Sequence, residues 1–430
     1  MAATQSSGFV FSVRRGYGGG APAASAATLV SASSSGRIAS SPESGLYPLI
    51  RGATIADTDT MRRLSLLPAL VLACLAVASA APAEPPLGPA AQPAPAAWDA
   101  QEIATVVERG LLGPSSEGFR PSDPLTWAEL AEALAAWGKP IPAPVFPDRA
   151  VTVRELDARL VAALGLLPAS RAVRIAARDA GLDPVPSLGT EVVARLLGLR
   201  TNHPVADESL ELLPGQPVTR AEAAFSLARA LAVGDWQRQQ VLDATATFSF
   251  GELSEWQRLV LSRALRFVGY PYVWTGTSEK RRQTLWDGTV VPGGFDCSGF
   301  VWRVYKLQPF PGAPELADTL KGRTTYAMSA EVPGAWRIGA EALQPGDVVF
   351  FGSRGPRSTP ADIGHMGIAL GNGWFVHSSN RGVTLDRLSG WYETRFAWAR
   401  RPLAEAGLEQ PQTGPAPAPQ PAPEQPALAP

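Results

Sequence analysis

Two tracts rich in proline and alanine decide how much of this chain can fold. Residues 81–97 read APAEPPLGPAAQPAPAA, and residues 404–430 read AEAGLEQPQTGPAPAPQPAPEQPALAP. Proline fixes its own φ, lacks an N–H and pushes the residue before it out of the helical region, so such tracts make neither helix interiors nor central strands. The first is expected to be an extended linker and the second a disordered tail. Between them lie roughly 300 residues, room for two domains. Hydrophobic residues make up 45% of the chain and charged residues 18%, enough apolar surface for a packed core. The formal net charge is −1 and no Lys/Arg block stands out, which argues against nucleic acid or an anionic membrane as partner.

Ahead of the linker, residues 61–80 read MRRLSLLPALVLACLAVASA. Arg62 and Arg63 form a positive start, Leu64 to Val77 an apolar stretch, and Ala78-Ser79-Ala80 a small-residue cleavage site, the three parts of an export signal. The apolar run is too short for a membrane span, so soluble export is expected. Residues 1–60 are rich in Ser, Ala and Gly without periodicity, and are read as non-native upstream or disordered sequence before a true start at Met61. Of the two cysteines, Cys74 is expected to leave with the signal if cleavage follows Ala80. Cys297 then has no partner for an internal disulfide and is either an inert buried thiol or a reactive one.

Residues 98–235 read as short helices broken by Pro and Gly. Trp98 to Arg109 is helical and ends at Gly110. Thr126 with Glu129, Thr152 with Glu155 and Thr219 with Glu222 each carry the spacing of a helix-opening capping box. The units WDAQEIATVVERGLLGPSSEGFRPSDPLTWAELAEALAAW and LELLPGQPVTRAEAAFSLARAL resemble S-layer homology repeats, which in that family hold proteins to cell-wall polymers. Thr219-Arg220-Ala221-Glu222 keeps the T-R-A-E of that family; Trp127 replaces the Arg in the first copy, and the middle copy reads Thr152-Val153-Arg154-Glu155. A small helical domain whose T-x-x-E groups serve only as caps is the alternative. His203 is expected at the surface.

Residues 251–403 mix helix and strand. Leu253 to Phe267 has a helical apolar face, a second helix is expected from Cys297 to about Tyr305, and strands are expected at 347–351, 366–370, 374–377, 383–385 and 396–400. Gly371-Asn372-Gly373 predicts a tight hairpin. At a helix N-terminus the Cys297 thiolate would face unpaired N–H groups and the positive end of the dipole, which lowers its pKa and offers donors to an oxyanion. His365 and His377 fall on the two strands of the hairpin, so their rings can lie close. One can accept the thiol proton and return it to a leaving amine, and the other can orient the first. A zinc site is disfavoured because Cys297 lacks C-x-x-C spacing.

Phe295 to Val301 (FDCSGFV), Leu343 to Phe351 (LQPGDVVFF) and the His365-to-His377 run resemble, in order, the NlpC-type papain-like cell-wall endopeptidases, over roughly residues 255–402. That resemblance implies an α+β, papain-like C-terminal domain, with the Cys helix packed on an antiparallel sheet, beside a separate small all-α domain. It implies Cys297 as nucleophile, His365 as base and His377 as third polar residue, with no cofactor and no metal. Tyr272, in Tyr270-Pro271-Tyr272-Val273-Trp274, matches a tyrosine beside the nucleophile. Asp296 and Ser298, with Gly299, match residues that shape the substrate pocket and oxyanion site, and Arg323-Thr324-Thr325 matches an R-x-[ST] segment. Thr275 stands where the family has a Gly, and Ser278 to Val291 is longer than the usual connection. The implied activity is hydrolysis of peptidoglycan stem peptides, between D-γ-glutamate and diaminopimelate or lysine, by a secreted, wall-associated enzyme. A non-catalytic wall-binding scaffold and a wall amidase or acyltransferase of the same fold are the alternatives.

Overall fold

The computed structural model describes residues 98–285 and 287–409. The upstream segment 1–60, the export signal 61–80, the linker 81–97 and the tail beyond Glu409 lie outside the described residues. The helical region carries α1 (Ala100–Glu108), α2 (Trp127–Ala136), α3 (Val153–Ala163), α4 (Leu167–Asp179), α5 (Leu188–Leu196), α6 (Arg220–Leu231) and α7 (Asp235–Ala246), with a 3-10 turn at Val205–Leu210. No single helix among the described residues is long and apolar enough to cross a membrane.

The recurring T-x-x-E motif has a structural reason. The three residues before each helix start meet in a closed ring: Leu125 N–H donates to the Val218 carbonyl, Val218 N–H to that of Val151, and Val151 N–H to that of Leu125, each at 2.9 Å. All three side chains are fully buried, so the ring also closes the apolar core of this region. From it α2, α3 and α6 radiate. Glu129 and Glu155 reach back to their Thr N–H groups at 2.9 and 2.8 Å, satisfying donors that a helix start leaves open. The third motif departs from this pattern. Thr219 caps Glu222 N–H, but the Glu222 carboxylate turns inward to His203 Nε2 at 2.6 Å, with Arg200 at 3.8 Å.

That pairing corrects the surface placement expected for His203, whose side chain is buried. A buried imidazole needs polar partners, and Glu222 supplies one while Trp98 packs edge-on at 4.6 Å. The Glu222 hydrogen bond and neighbouring carboxylates raise its pKa against the opposing effect of burial.

The second region opens with α8 (Glu255–Leu265), capped by Ser254 and Gln257. The long connection from Ser278 to Val291 forms part of an antiparallel ribbon of β1 (Thr277–Thr284) and β2 (Val290–Phe295). Then come α9 (Cys297–Tyr305), α10 (Thr325–Ala330), β3 (Val348–Gly352), β4 (Ile363–Gly371), β5 (Trp374–Ser379), β6 (Gly382–Arg387), α11 (Trp391–Arg395), β7 (Phe396–Arg400) and α12 (Pro402–Glu405). Strands β3 to β7 make one antiparallel sheet in the order β6-β5-β4-β3-β7, against which α9 packs. The β4–β5 turn holds Gly371, Asn372 and Gly373 all at positive φ, the conformation that Gly and Asn adopt at least cost. Ordered chain runs past residue 404: Leu403 is buried, and the Glu409 carboxylate accepts from Ser254 and Gln257 at the start of α8.

The helical and mixed regions share a core. Val173, Ala177, Leu188 and Val192 of α4 and α5 pack in the same apolar cluster as Phe295, Phe300, Ile368, Val383 and Leu385. Val193 and Ala194 of α5 lie in the core of the helical region, so α5 faces both regions at once.

Candidate active site

Cys297 is the first residue of α9, and Asp296 is its N-cap. The thiol is buried, at 8% exposure, and backbone N–H groups of Ser298 and Met366 approach its sulfur. Met366 follows His365 on β4, so the sulfur lies against the strand that carries His365. The thiol pKa is not lowered as expected from its helix position. It is pushed up to about 12, first by burial and then by the Asp296 carboxylate. Part of the helix start is already engaged, because Asp296 accepts from the Gly299 N–H and the Ser298 hydroxyl. The sulfur therefore rests as a thiol and ionises only when a base takes its proton.

His365 and His377 are joined, His365 Nε2 to His377 Nδ1 at 2.7 Å, with rings in edge contact at 5.0 Å. Burial, then the neighbouring imidazole, pushes His365 down to about 3. His377 is fully buried and also lowered, by burial against the pull of Asp386. Both rings are thus neutral at neutral pH, the state in which an imidazole can act as a base. Phe351 stacks on His365 at 5.8 Å, and Phe375 and Tyr392 pack on His377, fixing both rings from the sides.

Behind His377 lies a residue that sequence reading missed. Asp386 Oδ2 sits 3.0 Å from His377 Nε2 and is also bonded by the Arg381 guanidinium. Burial opposes its charge, but the His377 hydrogen bond and Arg381 hold its pKa below the ordinary carboxylate value. The hairpin register held the signal for it: His377 pairs with Thr384 and Phe375 with Asp386, so Asp386 is a diagonal neighbour of His377 on the adjoining strand.

Asp296 and Ser298 form a brace. Arg323 bonds both Asp296 oxygens at 3.2 and 3.0 Å and the Ser298 hydroxyl at 2.7 Å, and reaches the Thr275 carbonyl at 2.9 Å. Thr325 Oγ1 donates to the Ile363 carbonyl at 2.9 Å, which ties the same segment to β4. Thr275 has φ +57°, the left-handed conformation that suits glycine, which accounts for Gly at this place in the resembled family.

Tyr272 lines a cleft of about 650 Å³ together with His365, Ser379, Trp391 and Tyr392. Its hydroxyl is kept protonated by burial and by the nearby Cys297 and Asp296. The opposite wall comes from the helical region, through Asn202, Pro204, Val205 and Glu208. Asn202 grips the Tyr272 backbone, accepting its N–H at 2.7 Å and approaching its carbonyl at 3.4 Å, and Glu208 accepts the Trp274 N–H. These contacts span more than 60 residues of sequence, and nothing in local pattern announces them. No group of three or more potential metal-ligating side chains occurs among the described residues.

Residues 269–401 match the NlpC/P60 family, and residues 91–131 match the S-layer homology domain. Along the chain the S-layer homology match comes first and the NlpC/P60 match second. The probable peptidoglycan endopeptidase LytE of Bacillus subtilis is 34% identical over 33% of this chain and 33% of its own. The murein DD-endopeptidase MepH of Escherichia coli is 30% identical over 35% of this chain and 48% of its own. This chain thus spans between a third and a half of the length of these relatives. Among solved structures, an NlpC/P60 family protein from Bacillus cereus is 27% identical, covering 34% of this chain and 39% of that one, with a TM-score of 0.25.

Proposed function

With residues 269–401 as an NlpC/P60 domain, we propose that this protein is a secreted, wall-associated cysteine endopeptidase that hydrolyses peptidoglycan stem peptides. The observation that carries the reading is the hydrogen-bonded pair His365–His377, with His365 on the strand against which the Cys297 sulfur lies. Cys297 is the nucleophile, His365 the base and His377 the residue that orients it. As Sγ attacks the scissile carbonyl carbon, its proton passes to His365, and the carbonyl π pair moves onto oxygen. Collapse of that intermediate breaks the C–N bond, and His365 delivers the proton to the departing amine. Water, deprotonated by the same imidazole, then attacks the thioester, releasing the acid and restoring the thiol. Backbone N–H groups at the start of α9 and the Tyr272 hydroxyl supply polarity around the developing charge, with Asp296, Ser298 and Arg323 shaping the site.

The bond we favour lies between D-γ-glutamate and diaminopimelate or lysine. The helical region would hold the enzyme to wall polymers and raise its concentration at an insoluble substrate. The test is digestion of purified peptidoglycan by the wild-type protein beside Cys297→Ala, with products read by mass spectrometry. Fragments ending in D-glutamate, absent with Cys297→Ala, support the reading and its bond. Cross-link cleavage alone keeps the peptidase and replaces the bond. No release by either protein, while both sediment with walls, favours the scaffold.

A further inference from the structure

On the reading just given, the Cys–His–His arrangement still leaves open which nitrogen of each ring carries its proton, and only one order lets His365 act as a base. Proton order is set from the far end. A carboxylate accepts and cannot donate, so the Asp386–His377 contact at 3.0 Å places a proton on His377 Nε2. In a neutral ring that leaves His377 Nδ1 bare, and it must accept from His365 Nε2 across the 2.7 Å contact. His365 Nδ1 is then the free lone pair. Remove the carboxylate and this order is no longer imposed.

Asp386 is itself held. Arg381, on the β5–β6 turn, bonds its carboxylate, and the Tyr392 ring packs beside His377. The Arg381 carbonyl accepts from Arg195 Nη1 at 2.6 Å, and Arg195 Nη2 donates to the Gly269 carbonyl. Arg195 belongs to α5 of the helical region, is almost wholly buried, and faces the carboxyl groups of Glu191 and Asp157 of that region. The turn fits only around it: a Cβ on Gly382, at φ +73°, would lie 2.4 Å from the Tyr270 carbonyl and 2.9 Å from Arg195 Nη1. Besides His377, Arg381 and Tyr392, Asp386 lines a small hollow of about 190 Å³ shared with Gln237, Gln240 and Arg387.

We infer that Asp386 is a positioning residue that fixes the proton order through His377 to His365, and that the helical region holds it in place through Arg195 and the turn bearing Arg381. The wall-binding-like region is thereby a working part of the site as well as an anchor.

The chain has three histidines, so the imidazole nitrogens can be followed singly by ¹⁵N NMR of the full protein. The wild type should show His377 protonated on Nε2 and His365 on Nε2. Asp386→Asn should lose that pattern at His377 and lower kcat by a factor on the order of 10²–10⁴, with KM changed far less. Arg195→Lys, which cannot span both carbonyls, should lower kcat by roughly tenfold with the same spectral direction. A wild-type His377 protonated on Nδ1 overturns the inference without any variant, so a variant that does not fold leaves the test intact. An unchanged spectrum and kcat in Asp386→Asn overturn it as well. If the wild type releases nothing from peptidoglycan, the peptidase reading falls, and the spectra still decide whether Asp386 orders the protons.

Discussion

Single side chains carry more of this site than their types suggest. Thr275 is a β-branched residue at φ +57°, and its hydroxyl is buried without a partner. The left-handed conformation costs roughly 1–2 kcal/mol for a residue with a Cβ, whereas glycine loses about 0.5–1 kcal/mol through its freer unfolded chain. The strain is the larger of the two, so Thr275→Gly should raise stability by about 0.5–1 kcal/mol in urea unfolding; a loss would mean the methyl group packs better than the backbone is strained. Protonation makes a second residue-scale prediction. His365 must be neutral to act, and burial has moved its pKa from the ordinary 6.5 down to about 3, while Cys297 stays a thiol up to about 12. Acid therefore begins to inactivate only well below 6.5, and kcat/KM should be level across neutral pH, with no inflection near 6.5. A half-maximal point at that pH would show an imidazole still open to water.

Elements meet where glycine allows it. A Cβ on Gly189 would lie 2.0 Å from the Ser170 carbonyl oxygen, a backbone atom of α4 that cannot step aside. Alanine would gain up to about 1 kcal/mol of helix propensity there, but overpacking costs about 1–3 kcal/mol, so Gly189→Ala should lower the unfolding midpoint; an unchanged midpoint would mean that α4 and α5 slide freely. Elements were also the most legible scale in the sequence. The helix from Cys297 to Tyr305 and the strand from Phe396 to Arg400 have the bounds expected from the sequence, because a capping Asp marks the start of the one and a short, mostly buried apolar run makes up the other. The T-x-x-E spacing located three helix starts but not the ring joining Leu125, Val151 and Val218, whose third member arrives 67 residues after the second. The chemistry divides in the same way. Cys297, His365 and His377 stand out by residue type and nearby motif, whereas Asp386 required the register of a hairpin. Arg195, Asn202 and Glu208 reach the site across the seam, as side chains to distant backbone groups, and no period in the sequence records such contacts.

At the scale of the molecule, the shared core and these three polar contacts make the two regions one folding problem. Arg195 and the carbonyl it meets on Arg381 are separated by 186 residues. During synthesis at about 5–20 residues per second, the second arrives roughly 10–40 s after the first. Through that interval the helical half exists with a guanidinium turned toward a partner that has not been made, and with the apolar faces of α4 and α5 uncovered. A chain ending at residue 250 should therefore be cut readily by trypsin around Arg195 and Arg200, where the full-length protein resists; equal resistance in both would show that the helical half closes by itself. On the ribosome, the earlier half is a mould that must be kept from sticking to anything else until its casting is poured.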